Sequence, residues 1–191
     1  MNMKNYWNVW KQSYLELKTL STITTCAMFG AISVILGYFT IQIGDFIKIG
    51  FSGIPNEVIA YSFGPVVASI FGGAMDIVKY MIKPTGGFFP GFTITAIVAG
   101  MINGCFLYHR KITIKRALAV GLIITIFCNM ILNTYWLSIL YGKGFFLLLP
   151  MRVFKNIIMW PIESLLMYSV LKLLETIKVF HTSDVYDVGG K

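Results

Sequence analysis

The chain has 191 residues, 57% of them hydrophobic and 13% charged, with a mean hydropathy of +0.74; a soluble domain carries about 25% charge. Four stretches, 19–44, 58–75, 84–108 and 117–142, contain no Lys, Arg, Asp or Glu and together make up half the sequence. A membrane-crossing helix needs roughly 20 mostly apolar residues, so this pattern describes one polytopic helical membrane domain and excludes a soluble enzyme or a disordered tail.

In chain order, residues 1–18 place Trp7, Trp10, Tyr14 and Leu17 at helical spacing, with Lys4, Lys11 and Lys18 on another face. That is an interfacial amphipathic helix, and its lysines put the N-terminus in the cytoplasm. Run 19–44 lacks a small-residue cleavage site followed by a polar chain, so it is a retained span. Within it Ala27 and Ala31, with Gly30 between them, form a small-residue face that another helix can approach closely. Cys26, Cys105 and Cys128 lie in three different apolar runs with no second Cys or His nearby and read as small hydrophobes, leaving no metal site.

The basic cluster His109, Arg110, Lys111, Lys115 and Arg116 marks a second cytoplasmic segment. Both ends of 19–108 then lie on one side, which requires an even number of crossings, whereas the apolar runs supply three. Gly64-Pro65 provides the fourth by breaking 53–83 into two short helices, roughly 54–63 and 65–82. The first would be only about 15 Å long, and short, broken helices in membrane proteins border cavities. Residues 117–141 cross outward, Tyr141-Gly142-Lys143-Gly144 turns, and roughly 146–175 returns. The expected fold is all-α, with six transmembrane helices within 19–178, both termini cytoplasmic, a preceding interfacial segment 1–18 and a tail 179–191. The net charge of +8 therefore reflects sorting by membrane side rather than nucleic-acid binding. Ten basic residues fall inside, and Lys48, Lys79, Lys83, Lys143, Arg152 and Lys155 fall at or near the outer face.

Ionisable groups within spans are costly unless they face the bundle or water, which makes each a candidate site residue. Arg152, Lys155, Asn156, Met159 and Glu163 fall on one helical stripe; Asn129, Asn133 and Trp136 on a second; Ser69, Gly72, Gly73, Asp76, Lys79 and Lys83 on a third. Structural readings exist for each. Asp76 and Lys79 could neutralise one another at i, i+3, Arg152 and Lys155 could snorkel to headgroups, Trp136 and Tyr141 could be an interfacial belt, and Glu163 could have an internal partner. Separately, these do not explain why the polar stripes gather in the outer half. Rim cations suit an anionic ligand, amides and carboxylates suit the edge of a heterocycle, and Phe51, Phe88, Phe89, Phe92 and Trp136 offer aromatic faces.

No phosphate-cradling Gly-x-x-x-x-Gly-Lys-Ser/Thr segment occurs in the sequence, so uptake against a gradient would need a driving partner. Gly100 and Gly104 form a second small-residue face, for a partner or for the bundle's own helices. His109 and His181 lie on cytoplasmic segments far from Asp76 and Glu163, which leaves a membrane-embedded enzyme without a nucleophile and base or a metal cluster.

Over about 20–175 the chain resembles the substrate-binding S components of energy-coupling factor (ECF) vitamin transporters, and among them the folate-specific members. The resemblance rests on Gly86-Gly87-Phe88-Phe89-Pro90-Gly91-Phe92-Thr93, Asn133-Thr134-Tyr135-Trp136-Leu137-Ser138, Leu149-Pro150-Met151-Arg152 continuing to Lys155-Asn156, and Ala27-x-x-x-Ala31. It implies a six-helix binding protein, with no cofactor, that captures folate from outside and delivers it inward when joined to a transmembrane coupling subunit and two cytosolic ATPases. It further implies that Arg152 and Lys155 meet the glutamate carboxylates or line the pocket mouth, that Asn133, Asn156 and Asp76 bond the pterin edge, and that Phe89 and Trp136 pack on the rings, with Phe51, Lys79 and Phe92 nearby. Segment 39–52 and the outer turn between the last two helices would act as gates, and Ala27 and Ala31 would dock the coupling subunit. Met151 stands where the resemblance leads one to expect a second proline. An S component for another water-soluble vitamin is the alternative.

Overall fold

The computed structural model describes residues 3–39, 41–43, 47–83, 88–142 and 145–177; the tail 179–191 expected from the sequence lies outside them. Helix α1 (Met3–Glu16) precedes α2 (Leu20–Tyr38), which opens on a Thr19 side-chain cap. A two-stranded antiparallel ribbon follows, β1 (Ile41–Ile43) with β2 (Ile47–Ile49) in the register Ile41 to Ile49. The apolar run 19–44 is thus helical only as far as Tyr38 and then passes into the ribbon, where alternating isoleucines suit an extended pair. A single 3-10 turn, Phe51–Gly53, leads into α3 (Ile54–Ile82), and then come α4 (Pro90–Leu107), α5 (Ile114–Ile124), a π-helical segment (Thr125–Leu132), α6 (Asn133–Tyr141) and α7 (Phe145–Ile177).

Helix α3 is two helices. At Gly64 the backbone takes φ 85° and ψ −171°, a conformation that glycine alone adopts without strain, and Pro65 follows. A straight helix would hold Ser52 and Lys79 about 40 Å apart, yet Lys79 Nζ donates to Ser52 O over 2.9 Å. Similarly, a Cβ on Gly72 would lie 3.4 Å from Asn56 Oδ1. The two legs, 54–63 and 65–82, therefore fold back on one another as an antiparallel pair. Five apolar helical stretches are each long enough to cross a membrane, and the one spanning Phe51–Ile82 contains both legs, which gives the six crossings required by parity.

The break is closed from below by α1. Ser13, fully buried, donates from Oγ to Phe63 O at 2.7 Å and accepts from the backbone N–H groups of Val66 (3.0 Å) and Val67 (3.3 Å). One hydroxyl thus satisfies the last carbonyl of the first leg and the first amides of the second, groups that a helix end in a membrane protein must pair. Tyr14 and Leu15 remain exposed, and α1 docks through this small polar residue.

The second leg and α4 approach backbone to backbone, because Gly64, Ala68 and Gly72 on one meet Ala96, Gly100 and Gly104 on the other. A Cβ on Gly72 would come within 2.8 Å of Ala96 O, one on Gly100 would strike Ala68 O, and one on Gly104 would strike Pro65. The Gly100 and Gly104 face thus packs the bundle's own helices. Burial follows the same plan. The stretch containing α3 is 78% buried, whereas the other four stretches are 17–33% buried, although all five are apolar. The α3 pair is the axis, and the surrounding spans turn Ile23, Met28, Ile32, Ile35 and their like outward to lipid.

Candidate functional site

Helices α4 and α7 each pack against α3, the π segment and α6. On the α3–α4 side, Asp76 Oδ2 accepts from Thr93 Oγ1 at 2.7 Å, while Lys79 turns to Ser52 O. Each of these neighbours on one stripe has its own partner on a different element, so the two link the outer half of α3 to α4 and to the turn before α3. Phe51, half-buried, opens that turn.

On the α4–α6 side, Trp136 Nε1 donates to Thr95 Oγ1 at 3.1 Å, and Thr95 Oγ1 donates to Gly91 O at 3.0 Å. Phe89 stands 5.5 Å from Trp136 and 6.2 Å from Phe92 between ring centroids, in the tilted and edge-on arrangements that aromatic pairs favour. Gly91 is required here, since a Cβ would meet the Trp136 indole. Trp136 is therefore a fixed wall residue with its N–H committed to α4, rather than one swinging freely in an interfacial belt.

The π segment, absent from the sequence reading, lies beside this wall. Its i→i+5 bonding widens the turn and is common near functional sites, and Thr134 Oγ1 reaches Asn129 O at 3.4 Å across five residues. Asn133 Nδ2 donates to Asn129 Oδ1 at 3.2 Å, so the two amides expected on one stripe do pair. On α7, Arg152 and Lys155 are half-buried and Asn156 is buried. Among the described residues no hydrogen bond joins Arg152 or Asn156 to the Asp76 or Trp136 groups. Trp160 Nε1 donates to Leu118 O at 3.0 Å and ties α7 to α5.

Thr93, Thr95 and Ser52, the partners that position these groups, were not singled out in the sequence, because a hydroxyl or carbonyl acquires that role only through its neighbour. Ala27 and Ala31 are exposed on α2 and line an apolar groove of about 460 Å³ between α2 and the second leg of α3, whereas Gly30 turns inward against Met75.

The family model described as "ECF transporter, substrate-specific component" matches residues 21–171. The chain belongs to this family of S components. It is similar to two proteins named folate transporter FolT. The one from Clostridium novyi (strain NT) is 39% identical over 135 residues, 71% of this chain and 78% of the relative, and the one from Leuconostoc mesenteroides is 28% identical over 176 residues, 88% and 92% of the two chains. Among solved structures, FolT bound with folic acid matches at 33% identity with a TM-score of 0.72, covering 80% of this S component and 93% of that chain. The S component of a bacterial ECF transporter matches at 23% identity and TM-score 0.53, covering 83% and 98%, which speaks to the fold alone. The S component described above is thus an integral membrane protein of a transport system and not an enzyme.

Proposed function

We propose that this S component captures folate from the outer side of the membrane and releases it inward when joined to a transmembrane coupling subunit and two cytosolic ATPases. The observation that supports the reading is a polar and aromatic cluster on α3, α4 and α6 (Asp76 with Thr93, and Trp136 with Thr95 and Phe89), together with cationic and amide side chains on α7, a helix packed against α3 and α6. Folate is flat and heterocyclic at one end and anionic at the other. Phe89, Phe92 and Trp136 suit its rings, Asp76, Asn133 and Asn156 hydrogen-bonding atoms of its pterin other than the 2-amino end, and Arg152 and Lys155 its carboxylates, with Phe51 and Lys79 at the rim. Relatives named as folate transporters and a fold shared with a folic-acid complex support the same ligand.

The groove lined by Ala27 and Ala31 suits a helix of the coupling subunit, since these alanines take no part in the chain's own close contacts whereas Gly30 does. The test is calorimetric titration of the purified protein with folic acid. One mole bound per mole of protein is expected; no heat with folic acid, or heat with a different vitamin only, would reject the assignment.

A further inference from the structure

We propose that Glu57, Glu163 and Ser164 form an acceptor subsite for the paired N–H donors on the ligand's ring, the guanidine-like edge of an amino-pyrimidinone; the inference rests on the folate reading above. Together with Gly121, Thr125 and Trp160, the three residues line one small cavity of about 40 Å³ between α3, α5 and α7.

Glu57 lies on the first leg of α3, where Val58, Ile59 and Ala60 are almost wholly buried, yet its own side chain is only half-buried. In the most enclosed part of the protein, that remaining surface faces an internal hollow. Its Oε2 is buried without a hydrogen-bond partner among the described residues. Ser164 is 2% exposed, and its Oγ also has no partner there. The helix geometry aims this hydroxyl at α5, where a Cβ on Gly121 would collide with it. Trp160 cannot serve either carboxylate, because its N–H is held by Leu118 O. Lys155 lies within electrostatic reach of Glu163, so the cationic face and the carboxylate belong to one surface of α7.

Two carboxylates and an unpaired hydroxyl in a membrane interior are costly unless something completes them. The cavity's size says what can. About 10–15 Å³ accommodates a single water, so this space cannot take a bicyclic ring but can take the amino group and adjoining N–H at its edge. A carboxylate accepts two such parallel donors in the manner in which it accepts the fork of an arginine. The ring would then lie between the aromatic wall and α7, with its donor edge pointing down into the cavity.

The probe pair is folic acid and its 2-desamino-2-methyl analogue, which lacks the amino donor, titrated calorimetrically into the purified wild-type protein and into Glu57→Gln, Glu163→Gln and Ser164→Ala. The wild type should prefer folic acid by up to about 10-fold, as expected for loss of one hydrogen bond, and the Glu57→Gln and Glu163→Gln variants should lose most of that preference. Equal affinity of the wild type for the two compounds overturns the proposal, as does an undiminished preference in all three variants. If the glutamine variants do not fold, Ser164→Ala decides, and an undiminished preference there overturns the proposal. Failure of the wild type to bind folic acid at all would instead defeat the folate assignment, and the subsite would fall with it.

Discussion

Replacing Ser13 by Ala removes a single oxygen from α1 but strands three backbone groups. Phe63 O loses a donor at 2.7 Å, and Val66 N and Val67 N lose their acceptor at 3.0 and 3.3 Å. An unpaired buried polar group costs about 1–3 kcal/mol. The longest of the three bonds is weak, and water can reach the membrane surface, so the lower figure applies to each and the total is about 3 kcal/mol. For a chain of 150–250 residues, 1 kcal/mol corresponds to about 2–4 °C in Tm, so Ser13→Ala should lower the melting temperature by about 6–12 °C. Tryptophan fluorescence during heating of the detergent-solubilised protein reads the change. Removal of residues 1–16 should cost at least as much, because it deletes the same cap. A Ser13→Ala protein melting within about 1 °C of the parent would show that the break in α3 closes without α1 and would refute this account of the re-entrant pair.

Further substitutions probe the other contacts. Gly104→Leu should destabilise severely or abolish folding, because even a Cβ there meets Pro65, whereas Gly142→Ala, in open space at φ 63°, should cost about 1 kcal/mol; yield and melting temperature of the two variants distinguish them. Ala31→Leu should leave folate affinity unchanged but abolish co-purification with the coupling subunit, and retained association would place docking elsewhere. Burial pushes the His109 imidazole below its usual range, against the pull of the nearby Glu16 carboxylate, and its Nδ1 has no partner among the described residues. A depressed folded-state pKa means that the neutral form is favoured by the fold. Its contribution to stability is therefore present above about pH 6.5 and is lost as the pH falls through the folded value. The melting temperature should drop between pH 7 and 5, and His109→Gln should flatten that slope; an unchanged slope would remove His109 as its source.

The crossings were legible in the sequence because charge-free runs are a composition signal and because two basic clusters constrain parity. The Gly64-Pro65 break followed from that constraint combined with residues that end helices, and the fold-back at Gly64 matches it. Other features depend on partners that sequence order does not reveal. Ser13 sits among aromatics and lysines on a helix whose periodicity advertises Trp7, Trp10 and Tyr14, and only its position beneath Gly64 makes it a cap. Thr125–Leu132 carries neither proline nor glycine to announce its wider turn. Gly100 and Gly104 could equally have faced a partner or the bundle, and the matching stripe of Gly64, Ala68 and Gly72 on the second leg decided between them. At the site, the polar and aromatic residue types were legible from their stripes, whereas Thr93, Thr95 and the Glu57 cavity were not. Glu57 and Glu163 are more than one hundred positions apart and meet only after α3 folds back and α7 returns.

The central claim is that an outward-facing space in this chain alone captures folate through the cationic face of α7. The most direct measurement is binding of radiolabelled folic acid to right-side-out proteoliposomes containing the protein without coupling subunit or ATPases, alongside Arg152→Glu. The account predicts saturable binding of externally added folate, one per protein, with affinity reduced by about 100-fold in Arg152→Glu. Binding confined to inside-out vesicles, or unaffected by the charge reversal, would contradict it.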